Sequence, residues 1–365
     1  MADICEYLDW RGDLTFSAAP FCEVDNLILS MLSFIDFSPA LTSDPTGTPV
    51  KLKDCRAAID EKYPDGMYLG EVVPKQINRL FHKAAESVRF RDVYATCFRD
   101  VIREADVTQF AAVTFVLPDP DSTVFAAFRG TDDTLVGWRE DFRLSYSHPV
   151  EAQRLAVEYL ADVASVFRGR LMTGGHSKGG NLAVYAAAFS PKEVRGRVAA
   201  AYSNDGPGFL SEIISSEEFR EIEPRVTTFV PQSSVVGLLL GHNDRYQVIE
   251  SGTANGLMQH DPFSWKVSGP SFVHLDELSA DGKRHDEAFS EWLDGISPED
   301  RRSFTDTLFT ILESTGAKTV TDLANDRMGK IAAAVKAYAG LEKSARDNFV
   351  LFLRRLADAN RRAKP

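Results

Sequence analysis

Residues 174–180 read GGHSKGG, four glycines around a single serine. The run lies between a short apolar segment, residues 170–173, and NLAVYAAAF, residues 181–189, whose alanines and leucine favour helix. Inside it, Gly175-His176-Ser177-Lys178-Gly179 fits the pattern G-x-S-x-G. A serine at a sharp strand-to-helix turn sits on strained backbone, and glycines two residues before and after it let strand and helix approach each other. The motif therefore requires a strand, a turn and a helix in that order, and the flanking segments supply them.

The surrounding chain alternates in the same way. Residues 107–117 (VTQFAAVTFVL) and 123–128 (TVFAAF) are β-branched and aromatic runs joined by the turn PDPDS, which predicts an antiparallel hairpin. A helix is predicted over 150–167, and further strands over 198–203, 225–230 and 246–250. Alternation of this kind predicts an α/β fold, a mostly parallel central sheet with helices on both faces. Residues 1–100 read as a helical layer packed on the core, with an amphipathic helix over 23–37 and a second helical stretch over 74–87. The α/β core spans 101–280. Residues 281–365 read as a helical extension, with helices over 286–294, 298–312, 321–338 and 341–361.

Lys and Arg number 41 against 53 Asp and Glu, a formal net charge of −12, which opposes binding to a polyphosphate backbone and excludes nucleic acid as the expected partner. The basic stripe Arg354, Arg355, Arg361, Arg362 and Lys364 reads as the solvated end of a helix, with a membrane or nucleic-acid patch as the alternative and peripheral membrane contact the partner it would imply. Cys5, Cys22, Cys55 and Cys97 lack C-x-x-C spacing and read as free thiols, so no metal is expected. The acidic start MADICEYLDW resembles no secretory signal, and no run reaches the ~18 apolar residues of a membrane span, which predicts a cytoplasmic protein.

A serine hydroxyl needs a general base, usually a histidine held by a carboxylate. Where the serine sits at such an elbow, the chain order is serine, acid, histidine, leaving His242, His260, His274 and His285 as candidate bases. His260, in the loop GLMQHDPFSW after the last predicted strand, is the preferred base, with His274 and His242 as alternatives. Asp205, at the end of the predicted strand running into SNDGPG, is the preferred acid, with Asp244 and Asp261 in reserve. Thr131 in FRGTDD and the backbone N–H of Lys178 are the expected oxyanion donors. Arg129 is expected to pair with an acid such as Asp141.

Taken together, FRGTDDTLVGWREDF and GGHSKGGNLA resemble the class 3, or fungal-type, lipases. EYLDWRGDL, EVDNLILSMLSF, NDGPGF, VPQSSVVG and QHDPFSW are similar to a bacterial branch of lipase-like proteins known as a domain of unknown function. The resemblance implies an α/β-hydrolase fold with Ser177 as nucleophile, Thr131 and Lys178 at the oxyanion hole, and residues 132–147 in the place of a lid. Two departures stand out. Lys178 replaces the usual leucine, which predicts a cation beside the site that draws anionic headgroups. Where the resemblance implies an acid, the chain reads Pro231-Gln232-Ser233-Ser234, so Asp205 must serve.

The expected activity is hydrolysis of small-molecule or lipid carboxylic esters through a Ser-His-Asp triad and an acyl-enzyme, without a cofactor. The alternative is a non-catalytic α/β-hydrolase fold used for binding. A Ser-Lys mechanism through Lys178 is disfavoured, because neighbouring side chains at the elbow diverge.

Overall fold

Alternate residues of the central strands enter two different cores. In the computed structural model, residues 2–241, 245–325 and 327–362 are described, apart from the side chains of residues 285, 288–290, 292, 294, 327 and 356–362. The first part of the chain contains α1 (Ile4–Arg11), α2 (Glu23–Leu32), β1 (Val50–Lys51), α3 (Leu52–Lys62), α4 (Gln76–Glu86), β2 (Tyr94–Arg103), β3 (Thr108–Val116) and β4 (Val124–Phe128). Next come α5 (Leu135–Arg143), α6 (Glu151–Val166), β5 (Leu171–His176), α7 (Lys178–Phe189), α8 (Lys192–Arg195), β6 (Val198–Asn204), α9 (Ser211–Ile214) and α10 (Glu217–Ile222). β7 (Val226–Pro231), β8 (Gln247–Ile249), β9 (Val267–Ser268), β10 (Ser271–Phe272) and β11 (His274–Leu275) precede five helices: α11 (Ala280–Asp294), α12 (Pro298–Glu313), α13 (Val320–Ala324), α14 (Arg327–Gly340) and α15 (Lys343–Arg362).

The large sheet runs β1-β2-β3-β4-β5-β6-β7-β8-β11. Strands β1 to β4 pair antiparallel, β4 to β8 pair parallel, and β11 closes the far edge antiparallel to β8. On β4, Val124, Ala126 and Phe128 pack with Tyr159 of α6 and Leu182 and Ala186 of α7, while Phe125 and Ala127 pack with Leu27 and Ile28 of α2 and Leu80 of α4. A strand covered on both faces has no polar side, which is why VFAAF reads as an unbroken apolar run. Truncating Phe125 or Phe128 to Ala would cost about 3–5 kcal/mol.

With its helices on both faces and a serine turn between β5 and α7, this is an α/β-hydrolase fold with helical additions at both ends. The helical layer expected over 1–100 contributes more than helices, since β1 and most of β2 also lie there. β2 escapes a periodicity reading because its pairing with β3 shifts between Thr96 and Arg99, around Cys97 at φ +57°, which resets the two-residue alternation. The helix expected over 321–338 divides into α13 and α14, with Asn325 capping α13 in an extended conformation. Among the described residues no helix is long and apolar enough to cross a membrane.

Candidate active site

Ser177 occupies φ +59°, ψ −134°, a backbone conformation that side-chain-bearing residues rarely adopt. The flanking glycines make it accessible: a Cβ on Gly175 would lie 2.2 Å from the Gly179 carbonyl, and one on Gly179 would lie 2.1 Å from Phe128 O. The parallel register sets His176 opposite Asn204, and Ser177 N–H donates to Asn204 O at 3.0 Å. Asn204 is itself held from the α2 side, accepting from Asn26 Nδ2 at 2.8 Å, and donates to Gly175 O at 2.9 Å. The amino-terminal layer thus supports the ends of β5 and β6 from beneath.

Asp205 follows β6 directly, at φ +50°, and its side chain is closed to solvent. Its Oδ2 lies 2.7 Å from His260 Nδ1, and its Oδ1 accepts from Ser234 Oγ at 2.6 Å. Ser234 is one of the four residues where the lipase resemblance implies the acid. The carboxylate therefore stands at the end of β6, and the neighbouring β7 end supplies a hydroxyl that orients it. Gly237 makes room, because a Cβ there would meet Asp205 Oδ1 at 2.1 Å.

His260 ends a single 3-10 turn, Met258–His260. Gln259 anchors that turn: its side chain accepts from Ser233 N–H and donates to Thr253 O, both at 2.8 Å, while its carbonyl accepts from Trp265 Nε1 at 2.8 Å. His176 adds a further hold. Its Nε2 lies 2.8 Å from His260 O, with ring centroids 4.5 Å apart. Burial, then the neighbouring His260, push the His176 pKa well below its usual value, so the ring is neutral and its Nε2–H donates to that carbonyl.

The other candidates lie elsewhere. His274 pairs with Glu23 at 2.9 Å, bracing the β11 edge against α2, and Asp261 Oδ1 accepts from Phe263 N–H at 3.0 Å within its own turn. His242, Asp244 and the side chain of His285 lie outside the described residues. Ser177 is half-buried, and the His260 side chain is 24% exposed. Leu257 and Met258, immediately before the histidine turn, are 63% and 56% exposed. Among the described residues no hydrogen bond engages Ser177 Oγ, including one to His260.

On the other side of Ser177, the loop after β4 passes so close that a Cβ on Gly130 would lie 3.2 Å from Ser177 Cβ. Thr131 follows, its hydroxyl donating to Asp141 Oδ2 at 2.5 Å. Among the described residues no hydrogen bond engages the amide of Thr131 or of Lys178. Burial raises the Asp141 carboxyl to about 6, against the opposing pull of the Lys178 ammonium 3.8 Å away.

Two expectations are corrected here, those for Lys178 and Arg129, and the lid segment is found packed. Lys178 sends its side chain away from the cleft: Nζ donates to Gln109 O at 2.8 Å, to Gln109 Oε1 and to Glu140 Oε2 at 3.1 Å, with lysine and glutamate both buried. The first turn of α7 directs it between β3 and α5, where Glu140 compensates its charge. Arg129 pairs with Asp100, through two bonds of 2.9 Å, and with Asp132 at 3.3 Å, and not with Asp141, which Thr131 occupies. The segment in the lid position forms α5, whose Leu135, Trp138 and Phe142 pack against Phe309 and Leu312 of α12 and Val320 and Leu323 of α13. Its apolar face is covered by the carboxyl-terminal extension, and Glu140 pins it by accepting from Gln109 N–H at 3.0 Å and Ala152 N–H at 2.9 Å.

Glu140, Gln109, Ser234 and His176 escaped the sequence reading as supporting residues. Only a polar residue inside an apolar strand, Gln109 in VTQFAAV, offered a signal for any of them.

Similarity to solved structures is modest. Rhizomucor miehei lipase in its propeptide complex is 14% identical with a TM-score of 0.38, covering 66% of this chain and 76% of that one. An MDLA variant from Penicillium cyclopium is 14% identical with a TM-score of 0.37, covering 68% and 83%. A lipase from Rhizopus microsporus var. chinensis is 10% identical with a TM-score of 0.33, covering 63% and 76%. No curated protein matches the sequence. The Mbeg1-like family profile matches residues 84–310, more than half of the chain and a span that contains Ser177, Asp205 and His260. The chain belongs to the Mbeg1-like family.

Proposed function

We propose that this protein is a serine hydrolase of carboxylic esters, with Ser177 as nucleophile, His260 as general base, Asp205 as its orienting acid, and the amides of Thr131 and Lys178 as oxyanion donors. The observation that carries the reading is the 2.7 Å pairing of His260 Nδ1 with a buried Asp205 at the same sheet edge as the strained Ser177. A carboxylate buried there needs hydrogen-bonding partners, and Ser234 and His260 supply them.

In the first half-reaction His260 Nε2 takes the Ser177 hydroxyl proton as Oγ bonds to the ester carbonyl carbon. The resulting oxyanion is stabilised by the two amides, and Asp205 stabilises the imidazolium without taking its proton. The bond from that carbon to the alcohol oxygen then breaks as Nε2 returns the proton to the leaving alkoxide. Water repeats the sequence on the acyl-enzyme, releasing the acid and restoring Ser177. The exposed Leu257 and Met258 beside His260 favour an ester with an apolar acyl chain, so acylglycerols and lysophospholipids are the first substrates to try.

Ser177→Ala and His260→Ala are each expected to lower kcat/KM on a short-chain ester by on the order of 10⁴-fold with the melting temperature held. Near-native turnover in either variant would overturn that residue's role. The free Ser177 Oγ favours a second reading, a hydrolase fold that binds and does not cleave. Catalytic hydrogen bonds are often long until substrate is bound, and substrate turnover separates the two readings.

A further inference from the structure

Most of the molecule is acidic, yet its last two helices are not. Residues 327–362 carry nine Lys and Arg against three Asp and Glu, within a chain of net charge −12. The first of these helices, α14, contains no acidic residue. Met328, Ile331 and Val335 are 83%, 58% and 61% exposed, and the spacing i, i+3, i+7 stacks them on one helix face, with the exposed Ala332 and Ala339 between and beyond. The helix is engaged elsewhere: α14 packs on α12 and α13, and Tyr338, at the edge of the stripe seven residues after Ile331, meets Phe349 of α15 at 6.1 Å between ring centroids.

Several surface lysines are neutralised by neighbouring carboxylates. Lys62, Lys283 and Lys318 each pair with a carboxylate. Among the described residues Lys336 and Lys343, both exposed, pair with none. An apolar stripe on a helix of 14 residues, too short to span a bilayer, with an unpaired ammonium group on Lys336 in the same helix and another on Lys343 at the start of α15, has the pattern of a helix that lies in a lipid interface.

We propose that α14 docks this protein on an anionic phospholipid surface, with Met328, Ile331 and Val335 entering the acyl boundary and Lys336 and Lys343 meeting the headgroup charge. A second copy of the chain fits the surface less well. Two such helices would bring like charges together, and three side chains fall short of the ≈800 Å² per partner that a stable interface needs. The docking helix is connected to the site: it follows α13, whose Val320 N–H donates to Asp133 O at 2.8 Å, two residues beyond Thr131. Docking is independent of hydrolysis, so a chain inert toward esters would still pass or fail the test.

The test is co-sedimentation of the full chain with phosphatidylcholine vesicles prepared with and without phosphatidylglycerol. Binding is expected only to the phosphatidylglycerol vesicles, and should weaken as salt shortens the ~10 Å screening length at 0.1 M. Ile331→Glu/Val335→Glu should lower the affinity at least tenfold, about 1.4 kcal/mol or more, with the melting temperature unchanged because both positions are exposed. Lys336→Glu/Lys343→Glu should abolish the preference for phosphatidylglycerol. The proposal is overturned if wild type fails to pellet with phosphatidylglycerol vesicles, if the Ile331/Val335 variant pellets equally well, or if wild type is a dimer that this variant dissociates.

Discussion

Lys178 Nζ lies 3.1 Å from Glu140 Oε2, both side chains shut away from solvent directly behind Ser177. The pair joins α7, which begins immediately after Ser177, to α5, which follows the loop that holds Thr131. Removing one member leaves the other as an uncompensated buried charge, so Lys178→Met should destabilise the fold by about 3–5 kcal/mol. Adding Glu140→Gln should recover part of that loss. Urea denaturation measures both, and a Lys178→Met cost below about 1 kcal/mol would remove the pair from the account of how the elbow is held.

Ser234 orients Asp205 from the adjacent strand end, and its role is testable in turnover. Ser234→Ala deletes a hydrogen bond to a carboxylate, a contact worth about 1.5–3 kcal/mol, so kcat should fall roughly ten- to a hundredfold with KM little changed. Gly237→Ala should cost more, since its new methyl would displace the carboxylate that His260 needs. Steady-state kinetics on a soluble ester checks both, and an unchanged kcat in Ser234→Ala would show that Asp205 holds its position without that hydroxyl.

Because α5 is packed under α12 and pinned by Glu140, it is expected to stay in place during turnover. Hydrolysis of a neutral ester should therefore saturate smoothly as the substrate passes from monomers to aggregates. A sharp rise at the aggregation threshold would mean that α5 opens despite these contacts.

Two groups pull stability in opposite directions between pH 7 and pH 5. The pKa of His176 is lowered in the fold, so its contribution is present above the unfolded value of 6.5 and is lost as pH falls and the unfolded state takes up the proton. Asp141 is raised to about 6 from 3.8, so its contribution is present at low pH and is lost as pH rises through about 6. Relative to wild type, His176→Gln should lose less stability on acidification from pH 7 to pH 5, and Asp141→Asn should lose more. Each difference is at most about 1.4 kcal/mol per pH unit. Denaturation curves at the two pH values decide the signs, and a His176→Gln variant that tracks wild type would contradict a neutral, buried His176.

Much of the architecture was legible because both-face burial leaves a plain mark: VFAAF, NLAVYAAAF and GGHSKGG each carry the pattern of the element they form. Ser177, Asp205 and His260 stand out for a related reason, since the elbow fixes one sheet edge and chain order restricts what can reach it. Side-chain direction was not legible. The cation in Lys178 suggested a role in the cleft, but its course depends on Glu140, 38 residues earlier. Helix α5 had the amphipathic pattern of a lid because nothing local reveals that Phe309, far along the chain, covers its apolar face. β2 was hidden by the bulge at Cys97.

Labelling with a fluorophosphonate probe followed by peptide mapping decides whether Ser177 is an activated serine. One residue, Ser177, should be modified, with labelling abolished in Ser177→Ala and strongly slowed in His260→Ala. A wild-type protein that resists the probe, or that is labelled equally well in His260→Ala, would contradict that activation.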